Sequence, residues 1–447
     1  MYIIALIVIV LILFLLFYCL LGREWYSPCS LFTIPFLLMF IISAFNQSKW
    51  SFVMSFETFF VFVLGILAFL IGAFVCNISR IRTQDSIVLI QKKESLSTLR
   101  LLFVIFLEAL FFFMFLVFIL RWGASHGYSL SVSIYQIMMA GKFNLDEDTI
   151  QIPFVLSVCL QMNYTCAYLF SYLIARRFIF HDNINLPLLI IGFLLSCATC
   201  LLGGSRGPII ENILAIIIST GIVFYQKSGK RFFNKKTSLI IFGLLASIIL
   251  VFFFAMPLMG RSTTNSDFIE EIELYFGAQA FNLNYFITNI DTRSSFFGAN
   301  TFSSFYSDVQ NFTGINFGAV DGKVLSFFVT SNNINLGNVF TCFFAYYADF
   351  GFLGVAIVPF FVGLISQFVF KKAKGNVTTI NFWAVLYLFI SVNLFFSFFS
   401  NRFFQNIINL KMVINIFWIL LMYYLIFNPT IYFSNQLTTK RINSVKR

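Results

Sequence analysis

Residues 186–225 read LPLLIIGFLLSCATCLLGGSRGPIIENILAIIISTGIVFY: two apolar runs, 186–202 and 208–225, that meet at Gly203-Gly204-Ser205-Arg206-Gly207-Pro208. A membrane-crossing helix needs about 20 mostly apolar residues. Each run therefore approaches or makes a crossing, and the glycine-flanked arginine marks the reversal between them. Outward from this pair, similar runs recur near 2–21, 29–46, 55–76, 101–120, 153–175, 237–259, 339–370, 379–399 and 407–428. Together they predict about eleven transmembrane helices. The composition agrees: 447 residues, 60% hydrophobic, 11% charged, 65 phenylalanines and a mean hydropathy of +0.90. These values lie far from a soluble domain and predict an all-α polytopic integral membrane protein.

The basic residues test this threading, because they collect on the cytoplasmic side of a membrane protein. The loops that hold Arg23, Arg80 to Arg100, Arg176 and Arg177, Lys227 to Lys236, Lys371 to Lys374, and the tail with Lys440, Arg441, Lys446 and Arg447, fall on one side. The opposite side holds only Lys49, Arg121, Lys142, Arg206, Arg261, Arg293, Lys323 and Arg402, and Lys411 lies inside a span. This segregation predicts an N-terminus outside and a C-terminus in the cytoplasm. The net charge of +11 is thus topological. Nucleic acid is not expected as a partner, because no basic stripe with interleaved aromatics lies outside the spans. The first span begins without a basic leader and no small-x-small cleavage site follows it, which predicts a retained helix.

Four regions follow: an N-terminal bundle of about eight spans over 1–259, a large external loop over 260–338, C-terminal helices over 339–428 and a basic cytoplasmic tail over 429–447. Eight cysteines lie in or beside spans and read as apolar fillers, Cys197-x-x-Cys200 included. The two histidines, His126 and His181, fall on opposite sides by this threading. No metal site and no cofactor are expected.

A chain this apolar keeps its ionisable groups for orientation, pairing or chemistry. Arg206 stands at the predicted N-terminus of the helix after it, with Gly207 as N-cap and Pro208 as its first residue. Exposed amides and the helix dipole add positive potential there, and the glycines let a phosphate approach the backbone. Ser205 and Gly207 belong to this candidate anion site. Glu211, one turn on, could fix the guanidinium or accept a proton; the alternative is an interfacial arginine paired with Glu211 for structure alone. Arg261, Arg293 and Arg402 lie on the same predicted side, and four arginines there would suit a lipid pyrophosphate. The 260–338 segment carries carboxylates, aromatics and amides suited to hydroxyl-rich ligands; a loop of this length in a compact chain is more often functional than a mere connector.

The stretch Asn338 to Gly354, NVFTCFFAYYADFGFLG, is the second constellation. A continuous helix over 339–370 would be about 48 Å long, against a hydrocarbon thickness of about 30 Å. It must tilt, protrude or break, and Gly351 and Gly354 mark the break. Asp349 would then stand beside a polar cavity, either capping the second half or orienting an acceptor hydroxyl.

At this point the residues resemble the Wzy-type oligosaccharide repeat-unit polymerases, the O-antigen and capsule polymerases. The resemblance rests on Gly204-Ser205-Arg206-Gly207 opening a helix, on the large external loop, and on Asn338, Thr341, Tyr347, Asp349-Phe350-Gly351 and Gly354 after it. It implies the membrane glycosyltransferase C-type architecture in a bacterial inner membrane. It also implies transfer of a growing glycan from undecaprenyl pyrophosphate to a new lipid-linked repeat unit, without metal or nucleotide sugar. Arg206 and Arg261 would neutralise the pyrophosphate, Arg293 and Arg402 would support it, and Asp349 or Glu211 would position the acceptor or take its proton. Implied partners are the lipid-linked oligosaccharide, membrane lipid, a chain-length regulator and a flippase. Two departures stand out. Residues Ser331-Asn332-Asn333-Ile334-Asn335 lack the histidine that O-antigen ligases typically present there, which argues against a ligase. An arginine-x10-glycine loop is absent too, since Ile217 and Ile272 stand eleven residues past Arg206 and Arg261.

The rival expectation is a lipid-linked oligosaccharide flippase, which would show related half-repeats and charges along a midplane path. No repeat is evident, but Glu108 and Lys411 lie within spans.

Overall fold

The computed structural model describes residues 2–78, 96–128, 134, 136–138, 150–204, 207–229, 268–290, 297–315, 329–332, 334–375 and 381–426. Its helices are α1 (Tyr2–Leu20), α2 (Pro28–Phe45), α3 (Phe56–Ile78), α4 (Thr98–Ser125), α5 (Phe154–Phe180), α6 (Leu186–Leu202), α7 (Gly207–Ser228), α8 (Phe268–Tyr285), α9 (Ser303–Thr313), α10 (Cys342–Lys374), α11 (Phe382–Phe395), α12 (Arg402–Ile407) and α13 (Leu410–Ile426). A two-residue antiparallel hairpin, β1 (Thr330–Ser331) with β2 (Ile334–Asn335), pairs Thr330 with Asn335 and Ser331 with Ile334. Seven of the helices, α1 to α5, α7 and α10, are long and apolar enough to cross a membrane; α6, α13 and α11 with its 3-10 extension to Phe398 are shorter apolar helices. The chain is thus an all-α, multi-pass membrane protein. Of the runs read from the sequence, 237–259 lies outside the described residues.

The helices sort into two compact units, Met1–Leu89 with Ile217–Met412, and Ile90–Ile216 with Val413–Arg447.

In the first unit, α1 shows how an all-apolar helix chooses its face. Only Ile3, Leu6, Val10 and Phe17 are buried, one stripe at helical spacing, while Ile4, Val8, Ile12 and Leu16 face outward. An outward stripe this apolar suits lipid, not water. α2 begins at Pro28 behind Ser27, whose hydroxyl accepts from the Ser30 N–H at 3.4 Å. Its phenylalanines build the core with α3 and α10: Phe32 stacks on Phe69 at 3.9 Å, and Phe36, Phe40, Phe62 and Phe343 interlock edge to face or tilted. Glycines let α3 and α10 meet backbone to backbone. A Cβ on Gly72 would strike the Phe360 carbonyl, and one on Gly363 the Phe69 carbonyl.

α10 breaks where the length argument requires it. Gly351 has φ 63° and ψ −147°, a conformation open in practice to glycine alone. The part after it measures about 35 Å at 1.5 Å per residue, enough for one crossing. It exposes Leu353, Ile357, Phe361 and Ile365 along a single stripe. The part before it is buried from Cys342 to Ala348, where an irregular junction is tolerated because protein surrounds it. Gly354 completes the turn, since a Cβ there would collide with the Tyr346 carbonyl.

The 260–338 segment is more than a connector. α8 packs on α2, with the Gly277 carbonyl accepting from the Ser43 hydroxyl at 2.7 Å. Its later turns are buried, and their amides stitch irregular backbone: Asn282 donates to the Leu336 and Val339 carbonyls at 3.1 and 2.9 Å. Asn284 accepts from the Ser55 N–H at 2.8 Å and donates to the Val53 carbonyl at 3.2 Å. Each bond satisfies a backbone group that lies outside any helix.

In the second unit, α4, α5 and α6 surround a small core of Phe115, Ile119, Ile137, Met138, Leu156 and Leu160. Trp418 of α13 donates its indole N–H to the Val158 carbonyl at 2.9 Å, and Thr165 donates to Asn415 at 3.2 Å. After α5, His181 takes a left-handed conformation (φ 58°). The turn is fixed by a buried ion pair, Arg176 Nε to Asp182 Oδ2 at 2.8 Å, and by Arg177 donating to the Asp182 carbonyl at 2.8 Å.

Candidate functional site

Of the eight candidate residues read from the sequence, Arg206, Ser205, Arg261 and Arg293 lie outside the described residues. Asp349 and Arg402 belong to the first unit, Gly207 and Glu211 to the second.

The Asp349 site is built by three elements of the first unit. α10 delivers Asp349 in the last turn before the Gly351 break. Its Oδ1 accepts from the Asn300 N–H at 3.1 Å and from Asn300 Nδ2 at 2.9 Å; its Oδ2 accepts from the Thr301 N–H at 2.6 Å. The carboxylate therefore docks the turn before α9, which Gly298 (φ 66°) permits, and it caps a turn from a distant segment, not the second half of its own helix. Thr301 then joins the third element: its hydroxyl donates to the Ala345 carbonyl at 3.3 Å, and its own carbonyl accepts from Asn401 Nδ2 at 3.0 Å. Tyr346 donates to Asn401 Oδ1 at 3.1 Å. Arg402 follows Asn401 directly and opens α12, half-buried. One hydrogen-bonded chain thus links Asp349, Thr301 and Asn401 to the residue beside Arg402, and bridges α10, the turn before α9 and α12.

Aromatic rings pack around this chain: Phe297 on Phe350 at 5.0 Å, Phe302 on Phe404 at 5.3 Å and Tyr346 on Phe404 at 5.8 Å. Asp308 of α9 accepts from the Leu410 N–H at 2.7 Å, a second tie between the 297–315 segment and the C-terminal helices. Thr341 occupies the N-cap position of α10, but its buried hydroxyl makes no cap hydrogen bond and has no hydrogen-bond partner among the described residues. Tyr347 is buried with its ring against Phe352 at 5.4 Å.

Sequence reasoning missed Asn300, Thr301, Asn401 and Asp308. Asn401 adjoins the arginine it singled out, and a small polar residue before a helix start was the available signal. For Asn300 and Thr301 there was no signal, since their partner lies almost fifty residues along the chain.

A different junction lies in the second unit, between α6 and α7. Gly203 ends α6 by donating to the Thr199 carbonyl at 3.1 Å, and Gly204 takes φ 64°. α7 already includes Gly207, so this glycine is the first helical residue instead of the cap expected for it. Glu211 is half-buried just past the first turn, within electrostatic reach of Cys200. Asn212 beside it donates to the sulfurs of Cys197 and Cys200 at 3.6 and 3.8 Å, which pins α7 to α6 just past the glycine turn. The C-x-x-C pair acts here as a packing and accepting surface. Among the described residues no three of His, Cys, Asp and Glu come together as a metal site.

At one surface of the first unit, Lys49 bridges Glu270 and Glu273 of α8 at 3.1 and 3.0 Å. Burial alone would lower the pKa of Lys49, but the hydrogen bonds and charges of Glu273 and Glu270 outweigh it and hold the ammonium above its ordinary value.

No protein-family model, curated protein or solved structure matches this chain.

Proposed function

We propose that this membrane protein is a Wzy-type repeat-unit polymerase of the membrane glycosyltransferase C class, acting on undecaprenyl-pyrophosphate-linked oligosaccharides at the outer face of a bacterial inner membrane. The observation that carries the reading is the Asp349 junction. Residues read as one constellation, Tyr347, Asp349-Phe350-Gly351 and Gly354, form a broken helix end that docks the 260–338 segment and leads through Thr301 and Asn401 to Arg402. Amides and hydroxyls of the chain there adjoin the cationic Arg402, a setting suited to a sugar carried on a phosphate. In this reading Asp349 is a positioning residue that fixes the turn before α9, Arg402 contacts the pyrophosphate, and Arg206, Arg261 and Arg293 keep the pyrophosphate-neutralising and supporting roles that the resemblance implies for them. Gly207 and Ser205 let the phosphate approach the start of α7, and Glu211 orients Arg206 or takes the acceptor proton. An apolar groove of about 350 Å³ between α3 and α10, lined by Leu64, Ile71, Ile357 and Phe361 among others, suits a polyisoprenoid chain.

The test is deletion of the gene and analysis of the surface glycan. Single capped repeat units support the polymerase; loss of all surface repeats indicates a flippase, and full-length polymer left on the lipid carrier indicates a ligase. Complementation with Arg206→Ala or Arg402→Ala should give short or no polymer at normal protein level, and an undiminished ladder of long chains would remove those arginines from the mechanism. The flippase is retained as second reading because Glu108 lies buried within a span.

A further inference from the structure

Glu108 stands well inside α4, fully buried, in a helix rich in leucine, phenylalanine and isoleucine. An ionisable group at this depth is costly and calls for a partner. Its surroundings in the second unit are polar but short of donors. Glu108 Oε1 accepts from the Ser196 hydroxyl at 2.7 Å, a hydroxyl that also lies 3.1 Å from the Gly192 carbonyl, and the Cys166 thiol lies near the carboxyl. Both amide hydrogens of Asn163 are committed, to the Glu108 main-chain carbonyl at 3.1 Å and to the Thr199 hydroxyl oxygen at 2.9 Å. The Thr199 hydrogen goes to the Leu195 carbonyl at 3.0 Å. Among the described residues two buried acceptors remain with no donor, Glu108 Oε2 and Asn163 Oδ1.

Two orphan acceptors on residues already hydrogen-bonded to each other are one hydrogen short of two satisfied groups. The titratable groups that face Glu108 from the packed elements are Cys166 of α5 and Cys197 of α6, and neither supplies positive charge. On α4 itself Arg100 and Arg121 lie about 12 Å and about 20 Å away along the helix axis. A metal ion would need several more oxygens than these two. A proton needs no others.

We propose that this cluster is a proton-binding site: Glu108 is a carboxylic acid whose Oε2–H donates to Asn163 Oδ1. The acid–amide pair then joins α4 to α5, beside the Ser196 bond that already joins α4 to α6. Removing the proton by hydroxide gives water and a carboxylate facing an amide oxygen, two acceptors that repel, and the junction loosens. The inference stands apart from the polymerase reading and holds for any function of the chain.

The experiment is infrared spectroscopy of the full-length protein in lipid vesicles at neutral pH, comparing wild type with Glu108→Gln and Asn163→Leu. Wild type should show a protonated-carboxyl C=O stretch that Glu108→Gln abolishes, and Asn163→Leu should shift that band to the higher frequency of an acid without an acceptor. Glu108→Gln should keep the thermal stability of wild type, because the new amide N–H replaces the acid O–H towards Asn163. No band difference between wild type and Glu108→Gln overturns the proposal, and sodium-dependent stabilisation of wild type alone would replace the proton with a sodium ion. Should Glu108→Gln fail to accumulate, an unshifted band in Asn163→Leu overturns the pairing by itself.

Discussion

Asp349 and Glu108 are both carboxyl groups carried by helices of a strongly apolar chain, and their surroundings are opposite. Asp349 faces three N–H donors contributed by Asn300 and Thr301, so each of its oxygens is met by hydrogen. Glu108 is met by one hydroxyl at Oε1, and its Oε2 has no donor among the described residues. The first arrangement suits an anion that fastens a distant turn, the second a neutral acid that donates. Residue type does not decide the role of a carboxyl in such a chain; the balance of donors and acceptors around it does.

Several substitutions would break or sharpen this contrast. The largest effect is expected for Asp349→Ala, which leaves three N–H groups of the 300–301 turn without their acceptor. It should lower the unfolding free energy by about 3 kcal/mol and expose the start of α9 to protease. Gly351→Ala should come next, at about 2 kcal/mol, because φ 63° with ψ −147° is strained for any side chain. The sharper comparison applies the same chemical change at both carboxyls. Asp349→Asn turns an NH2 group towards N–H donors and should cost about 1–2 kcal/mol, whereas Glu108→Gln should lie within about 0.5 kcal/mol of wild type in thermal unfolding. Equal costs at the two positions would erase the distinction.

The smallest effect belongs to Lys49. Its pKa is raised in the fold, so its ion pairs contribute fully below the ordinary lysine value of about 10.4 and the contribution fades as pH rises through the higher folded value. More than a third of its side chain is exposed, and solvent screening holds the gain to a few tenths of a kcal/mol. Lys49→Met should therefore lower stability slightly at neutral pH and not at strongly alkaline pH, in low-salt unfolding measurements.

The helices were legible because the bilayer imposes length and hydrophobicity on sequence directly, and the described helices follow the apolar runs from 2–21 to 407–428 with shifts of a few residues at their ends. The Gly351 break was legible for the same reason: the run was too long for one crossing and held glycines. The architecture of 260–338 was far less visible. Asn282 and Asn284 are polar residues of that segment, yet they are buried because they serve backbone groups of irregular segments. Sequence displays polarity but not what the polarity satisfies. The bonds from Asp349 to Asn300 and Thr301 were hidden likewise, since nothing local in either segment specifies the other. Glu108 was visible as a misplaced charge, but its acceptor-rich setting depends on three helices meeting.

The central functional claim is that the chain elongates lipid-linked glycans. Its most direct test is reconstitution of the purified protein in liposomes with undecaprenyl-pyrophosphate-linked repeat units and no nucleotide sugar. The account predicts a ladder of lipid-linked oligomers together with released undecaprenyl pyrophosphate, both lost with Arg402→Ala. Movement of single units across the bilayer without any elongation would contradict it.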